Sequence, residues 1–308
     1  MLKRIKPQQV RSGMFIESIE GSWANHPFWR TSFLLGRDKD IKALKSSNVS
    51  AVIINTAKGV DTVPLNAASN VREPPLAGGT ALRQALQTIE RSRPLLVDMF
   101  ANARMGRVVS AENTADVVGH IAQSMKNSSS ALIEITRLKS RDEYTFLHSI
   151  AVSALMIHLA RSIDLDENSA RDIGMGGLLH DIGKMKIPLA LLNKAGALTE
   201  AETRLFRRHP LLGHDILAQQ GDMPQIVLDI CLYHHERIDG KGYPKGLTGD
   251  QISLPTRISA ICDVYDALTT ERPYKKAWAP IDAIRFMLAQ EGQFDKQLLM
   301  KFAYGLSI

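Results

Sequence analysis

Cysteine is scarce in this 308-residue chain: Cys231 and Cys262 are the two present, and no CxxC spacing surrounds either. That excludes a disulfide framework and a thiolate-rich zinc knuckle, and it fits a reducing cytoplasm. Long apolar runs are missing as well. The stretch from Ala151 to Ala160 is interrupted by His158 and is too short to span a bilayer. Met1 to Lys6 is charged, but Pro7-Gln8-Gln9-Val10-Arg11 stands where a secretion signal would need its apolar segment. The chain is therefore expected to be cytoplasmic, without a membrane span. There is no basic arm either: 38 Lys and Arg against 32 Asp and Glu leave +6, spread along the chain without interleaved aromatics. No nucleic-acid partner is expected, and the small positive excess suits either a phosphorylated small ligand or an ordinary solvated surface. No internal repeat is visible.

What is present divides the chain in composition. Residues 1–66 read as a small mixed α/β domain, with short strands at Met14–Ile19, Ser32–Leu35 and Ser50–Asn55. A helix over Asp38–Ser46, capped by Asp38, and a closing Lys58-Gly59 turn complete it. Residues 67 to about 80, holding Pro74-Pro75 and Gly78-Gly79, have linker composition. From Thr80 onward the apolar spacing is helical throughout. It predicts helices over Ala81–Asp98, Asn113–Met125 and Leu132–Arg137, then about 143–163, 168–181, 199–219, 224–235, 255–270 and 280–291, with prolines at their edges. The expected fold is α+β overall, with three segments: 1–66, a connecting stretch 67–134, and an all-α domain over 135–308.

Nine histidines occur, and five fall in an ordered series with acidic residues: His148, His180-Asp181, His209, His234-His235 and Asp263. Neutral imidazoles and carboxylates are the donors that iron, manganese, zinc or cobalt prefer. Any one histidine alone is more often a filled core or surface position; the series is what carries the reading. His180 and Asp181 end a helix whose last turns hold Gly176, Gly177, Leu178 and Leu179, so both side chains leave closely packed backbone. A buried His-Asp pair without a cation is costly. Adjacent helical residues diverge by about 100°, which lets Asp181 bridge two ions while His180 holds one. His148 lies at the edge of the stripe Leu147, Ile150, Ala151, Ala154 and Leu155, and Asp263 follows the apolar run Ile258–Cys262.

His180-Asp181-Ile182-Gly183-Lys184, together with His234-His235-Glu236-Arg237-Ile238-Asp239-Gly240-Lys241-Gly242-Tyr243-Pro244, resembles the two signatures of the HD-GYP family. Asp263-Val264-Tyr265-Asp266-Ala267-Leu268-Thr269 and Arg272-Pro273-Tyr274-Lys275 continue the likeness, which covers roughly 135–308. Residues 1–66 are similar to an uncharacterised domain often found ahead of HD-GYP domains. The resemblance implies a helical HD-superfamily domain that hydrolyses cyclic di-GMP to linear pGpG, or on to GMP, in bacterial signalling. Carried over by position, the metal ligands are His148, His180, Asp181, His209, His234, His235 and Asp263. Asp181 and Lys184 serve the chemistry, and Lys184, Gly242, Tyr243, Arg272 and Lys275 bind substrate, with Tyr243 shaping the guanine side. Two divalent ions are implied, iron or manganese first, with zinc, cobalt or nickel admitted. Some relatives place a Glu four residues before the first His and hold a third ion; here that position is Tyr144, a poor ligand near neutral pH.

Three other readings stay open at this point: the same chemistry on another cyclic dinucleotide or nucleotide, a non-catalytic module that responds to cyclic di-GMP, and a plain helical scaffold. The first domain holds Trp23, Phe28 and Trp29 but no ligand series, so it is expected to be regulatory or to meet a signalling partner. A homodimer is also left open.

Overall fold

Alternating apolar residues build the first element of order. In the computed structural model, which describes residues 2–20, 32–36, 38–46, 49, 51–61, 77–137, 144–192, 194, 196–219, 221–270 and 276–308, the chain divides into two units between Pro74 and Pro75. The first holds an antiparallel sheet in the order β1-β4-β2-β3: β1 (Leu2–Ile5), β2 (Met14–Glu20), β3 (Phe33–Leu35) and β4 (Ala51–Asn55). Met14 and Ile16 of β2 point into one small core with Leu35, Val52, Ile54 and Leu44 of helix α1 (Asp38–Ser46). Each such side chain contributes about 1.5–3 kcal/mol by leaving water. The expected strands and helix are present. The edge strand β1, absent from the sequence reading, pairs Leu2–Ile5 with Val52–Asn55; Lys3 and Arg4 hide its alternation. Gly59 lies flat on β2, where a Cβ would stand 2.4 Å from the Phe15 nitrogen. Trp23, Phe28 and Trp29 lie outside the described residues.

The second unit is helical: α2 (Ala77–Met105), α3 (Ala111–Asn127), α4 (Ser129–Arg137), α5 (Tyr144–Ser162), α6 (Glu167–Leu179), α7 (Leu189–Leu192), α8 (Glu200–Phe206), α9 (His209–Ala218), α10 (Gln225–Tyr233), α11 (Leu254–Thr269), α12 (Pro280–Ala289) and α13 (Lys296–Gly305). Three departures from the periodicity are instructive. Helix α2 takes in Gly78 and Gly79, read above as linker, because the helix they open runs on for 29 residues and outweighs their low propensity. The segment 199–219 is two helices. Pro210 has no N–H for the Phe206 carbonyl, so α8 stops at Phe206 and α9 starts at His209. Helix α13 was not anticipated; Leu298, Leu299 and Phe302 bury it in the core.

Helix α5 is the axis of this unit, buried from Phe146 through Ile157 on every side. Helix α6 packs directly on it through glycine. A Cβ on Gly177 would lie 3.0 Å from the Ser153 Cα, and one on Gly174 2.6 Å from Ile157. Gly176 gives the same room to Ile230 of α10. These glycines serve helix-to-helix approach inside α6, which ends at Leu179 with His180 as its cap. A 3-10 helix over Ile182–Lys186 follows, where Gly183 backs against α9: a Cβ would fall 1.9 Å from the His209 carbonyl oxygen.

Candidate metal centre

His180 caps the end of α6, His209 opens α9 and His234 caps the end of α10, and each uses the same kind of anchor. The ring Nδ1 of His180 lies 2.8 Å from the Gly177 carbonyl, that of His209 2.8 Å from the Phe206 carbonyl, and that of His234 3.0 Å from the Cys231 carbonyl. A carbonyl only accepts, so Nδ1 carries the hydrogen and Nε2 is left with a lone pair. For His209 the anchor is the same Phe206 carbonyl that Pro210 cannot satisfy. His148, on α5, is anchored by a carboxylate instead: its Nδ1 donates to Asp266 Oδ2 at 2.7 Å, both groups buried.

The lone pairs then converge. His209 Nε2 lies 3.3 Å from His234 Nε2 and 3.1 Å from His235 Nε2, and the His209–His234 contact has no hydrogen to share. Asp181, set at the junction between α6 and the 3-10 helix, faces both sides. Its Oδ1 is 3.3 Å from His209 Nε2 and 3.7 Å from His234 Nε2. Its Oδ2 is 3.4 Å from His180 Nε2, 3.7 Å from His148 Nε2 and 2.5 Å from Lys184 Nζ. Asp263 Oδ1 closes the second side at 3.3 Å from His148 Nε2 and 3.8 Å from His180 Nε2. Two donor groups result, Asp181 with His209, His234 and His235, and His148 with His180 and Asp263; within each, the donor atoms lie within 4.8 Å of one another.

These residues fit divalent cations on the structure's own terms. His180 Nε2 and Asp181 Oδ1 are buried without any hydrogen-bond partner, a costly state that a cation on each side of Asp181 would relieve. Burial keeps the rings neutral, pushing His209 down to about 4 and His235 down to about 3. Burial opposes ionisation of Asp181, but Lys184 and His180 hold its carboxyl well below the usual carboxylate range. For His148, burial is outweighed by the hydrogen bonds of Asp263 and Asp266, which raise it. Neutral rings and ionised carboxylates are the protonation states that ligation requires.

All seven series residues thus meet in one place. Tyr243 stacks on His235, ring centroids 4.7 Å apart and 29° between planes, and burial raises its phenol. Gly242 approaches protein backbone, since a Cβ there would stand 2.5 Å from Glu236 Cα; it shapes the loop. Arg272 and Lys275 lie outside the described residues, as does the Tyr144 side chain. Two residues were quoted in the motifs without a role. Asp266 is i+3 from Asp263 and so shares its helix face, a signal the spacing offered. Glu236 is buried and accepts the backbone N–H groups of Lys245, Gly246 and Leu247 at 2.7, 3.1 and 3.0 Å. It ties down the loop that carries Tyr243, which only the folded loop reveals.

A family model described as an HD domain matches residues 117–298, and a domain of unknown function, DUF3391, matches residues 2–114. The chain belongs to the HD domain family, with DUF3391 ahead of the HD domain and the HD-GYP signatures within it. It is 45% identical over 320 aligned positions to the cyclic di-GMP phosphodiesterase PA4108 of Pseudomonas aeruginosa, covering 100% of this chain and 77% of that protein. To the cyclic di-GMP phosphodiesterase response regulator RpfG of Xanthomonas campestris it is 42% identical over 164 positions, 52% of this chain and 43% of that one. The fold matches Bd1817, an HDG"Y"P protein from Bdellovibrio bacteriovorus, with a TM-score of 0.63 at 18% identity and full coverage of both chains. Among the described residues no helix is long and apolar enough to cross a membrane.

Proposed function

We propose that this chain is a metal-dependent phosphodiesterase that hydrolyses cyclic di-GMP to linear pGpG. The observation that carries the reading is Asp181, whose two oxygens each face a separate set of imidazole lone pairs. The relatives named above supply the substrate. Two ions are the natural complement, iron or manganese, one held by Asp181, His209, His234 and His235 and the other by Asp181, His148, His180 and Asp263. Bound divalent ions lower the pKa of water and offset charge on an attacked phosphodiester. The chain's own residues do the rest. The carbonyl and carboxylate anchors fix the rings so that no rearrangement is needed. Lys184 Nζ, 2.5 Å from Asp181 Oδ2, is placed to offset charge on the phosphorane or give a proton to the leaving oxygen. Arg272 and Lys275 bind phosphate, and Tyr243 borders the base side. The first unit, whose sequence holds no ligand series, serves regulation or a signalling partner in the cytoplasm, and a homodimer is compatible with this role.

Anaerobic purification, metal analysis and chromatographic turnover of cyclic di-GMP test the reading together. Close to two ions per chain and a pGpG product are expected with iron or manganese, and none of either in a His180→Ala, Asp181→Ala double variant. Full metal occupancy in that variant, or a fully loaded protein inert toward cyclic di-GMP, overturns it.

A further inference from the structure

A cyclic dinucleotide carries two phosphodiester anions, and a single metal centre takes hold of one. On the reading above, Lys184, Arg272 and Lys275 attend the attacked one, and the other needs cations of its own. Beside His234 and His235 opens a cavity of about 250 Å³ lined by three basic residues, Arg207, Arg237 and Lys241. This is below the ~300–1,000 Å³ of sites that enclose a drug-sized ligand, so it suits one portion of such a molecule. The three cations differ in their commitments. Arg237 is forked onto Asp239 at 3.0 and 2.8 Å and donates to Gln293. Among the described residues, neither the Arg207 nor the Lys241 side chain is in an ion pair within 4 Å of a carboxylate, although Asp239 feels the charge of Lys241. Arg207 lies instead over the Tyr243 ring, its guanidinium carbon 5.1 Å from the centroid. One ring face cannot hold both His235 and Arg207, so Tyr243 is clasped between them and its faces are taken. Arg207 is thereby held at the cavity wall, two residues before His209, and remains exposed. Lys241 approaches from the facing loop, its backbone fixed by Asp239 Oδ1 at 3.0 Å.

We propose that Arg207 and Lys241 form a subsite for the phosphodiester that is not cleaved, with Arg207 forking onto its oxygens and Lys241 adding a point charge. The test compares Arg207→Gln, Lys241→Gln and Arg207→Lys holoenzymes on cyclic di-GMP and on bis(p-nitrophenyl) phosphate, which has one phosphodiester only. For Arg207→Gln, KM for cyclic di-GMP should rise roughly tenfold, the scale of one charge-assisted contact, with kcat little changed. Arg207→Lys should recover part of that, and the loss in kcat/KM should be at least about fivefold larger on cyclic di-GMP than on the one-phosphate substrate. Equal losses on both substrates, or an unaltered KM in both Gln variants, overturn the subsite. A wild-type protein that cleaves bis(p-nitrophenyl) phosphate but not cyclic di-GMP fails at the earlier step, refuting the substrate reading and the subsite that rests on it.

Discussion

Replacing Asp266 isolates a residue that touches no ion in the arrangement proposed above yet should govern one. Its Oδ2 accepts the Nδ1 hydrogen of His148 at 2.7 Å, and its Oδ1 accepts from the Thr270 hydroxyl at 3.1 Å. Both carboxylate and ring are buried, so salt does little to screen the pair. A hydrogen bond to a charged group contributes about 1.5–3 kcal/mol, and carboxylates behind a ligating histidine are worth roughly 10–100-fold in metal affinity or activity. Asp266→Asn retains an acceptor and loses the charge, so about a tenfold weaker hold on one ion is expected; Asp266→Ala removes the acceptor and should approach a hundredfold. Competition with a chromophoric chelator for manganese reads this directly. Occupancy should fall from two toward one per chain at limiting metal, and kcat should recover with excess metal. An Asp266→Ala protein that is folded, loads metal with wild-type affinity and turns over at the wild-type rate would refute the anchoring role.

Other outcomes follow from the packing and the charges. Gly183→Ala drives a Cβ into the His209 carbonyl and the Gly213 nitrogen, backbone that cannot swing aside, so thermal unfolding should show a loss of about 3 kcal/mol or more together with loss of metal; an unchanged Tm would contradict the contact. Glu236→Gln weakens three buried backbone bonds, and amide exchange at 245–247 should quicken by at least about tenfold, the scale of one charged hydrogen bond; unaltered protection would show the carboxylate is dispensable. Loading should also depend on pH unequally. Burial pushes His209 down to about 4 and His235 down to about 3, so both rings stay neutral well below pH 6, whereas at His148 the hydrogen bonds of Asp263 and Asp266 outweigh burial and raise it, so that it takes up a competing proton earlier as pH falls. Between pH 7.5 and 5.5 the His148 side should lose its ion first, which anomalous scattering from manganese-loaded crystals would locate; simultaneous loss would count against the assignment.

The helical unit was readable because its apolar spacing is strong and its ligand residues fall in recognisable order. The breaks inside it were less so. A run such as 199–219 keeps helical spacing across Pro210, and only the unmet Phe206 carbonyl shows why two helices are needed. Strand β1 escaped because an edge strand with Lys3 and Arg4 has little alternation to read. At the site, the identity of the donors was visible in sequence, while their protonation was not: which nitrogen of each ring is free depends on a carbonyl three residues back in the folded turn. Asp266 and Glu236 are satisfied by partners 118 and 9 to 11 positions away, separations that local patterns do not encode. Nothing local in the sequence marks Arg207, since its neighbour Tyr243 is remote along the chain.

The three carbonyl-anchored histidines have one further consequence. His180 and His234 cap the ends of α6 and α10, so two rows of peptide dipoles direct their negative poles at the same small volume, whereas His209 opens α9 and brings a positive pole. The two negative poles favour positive charge between them, independent of which side chains occupy the ligand positions. A member of this fold that lost one or two of its imidazoles would keep those poles, and its pocket would still prefer a cation, a protonated amine or a lysine grown in from a neighbouring turn over an empty apolar core. Lys184, whose Nζ lies against Asp181 Oδ2, sits where such a replacement charge would lie.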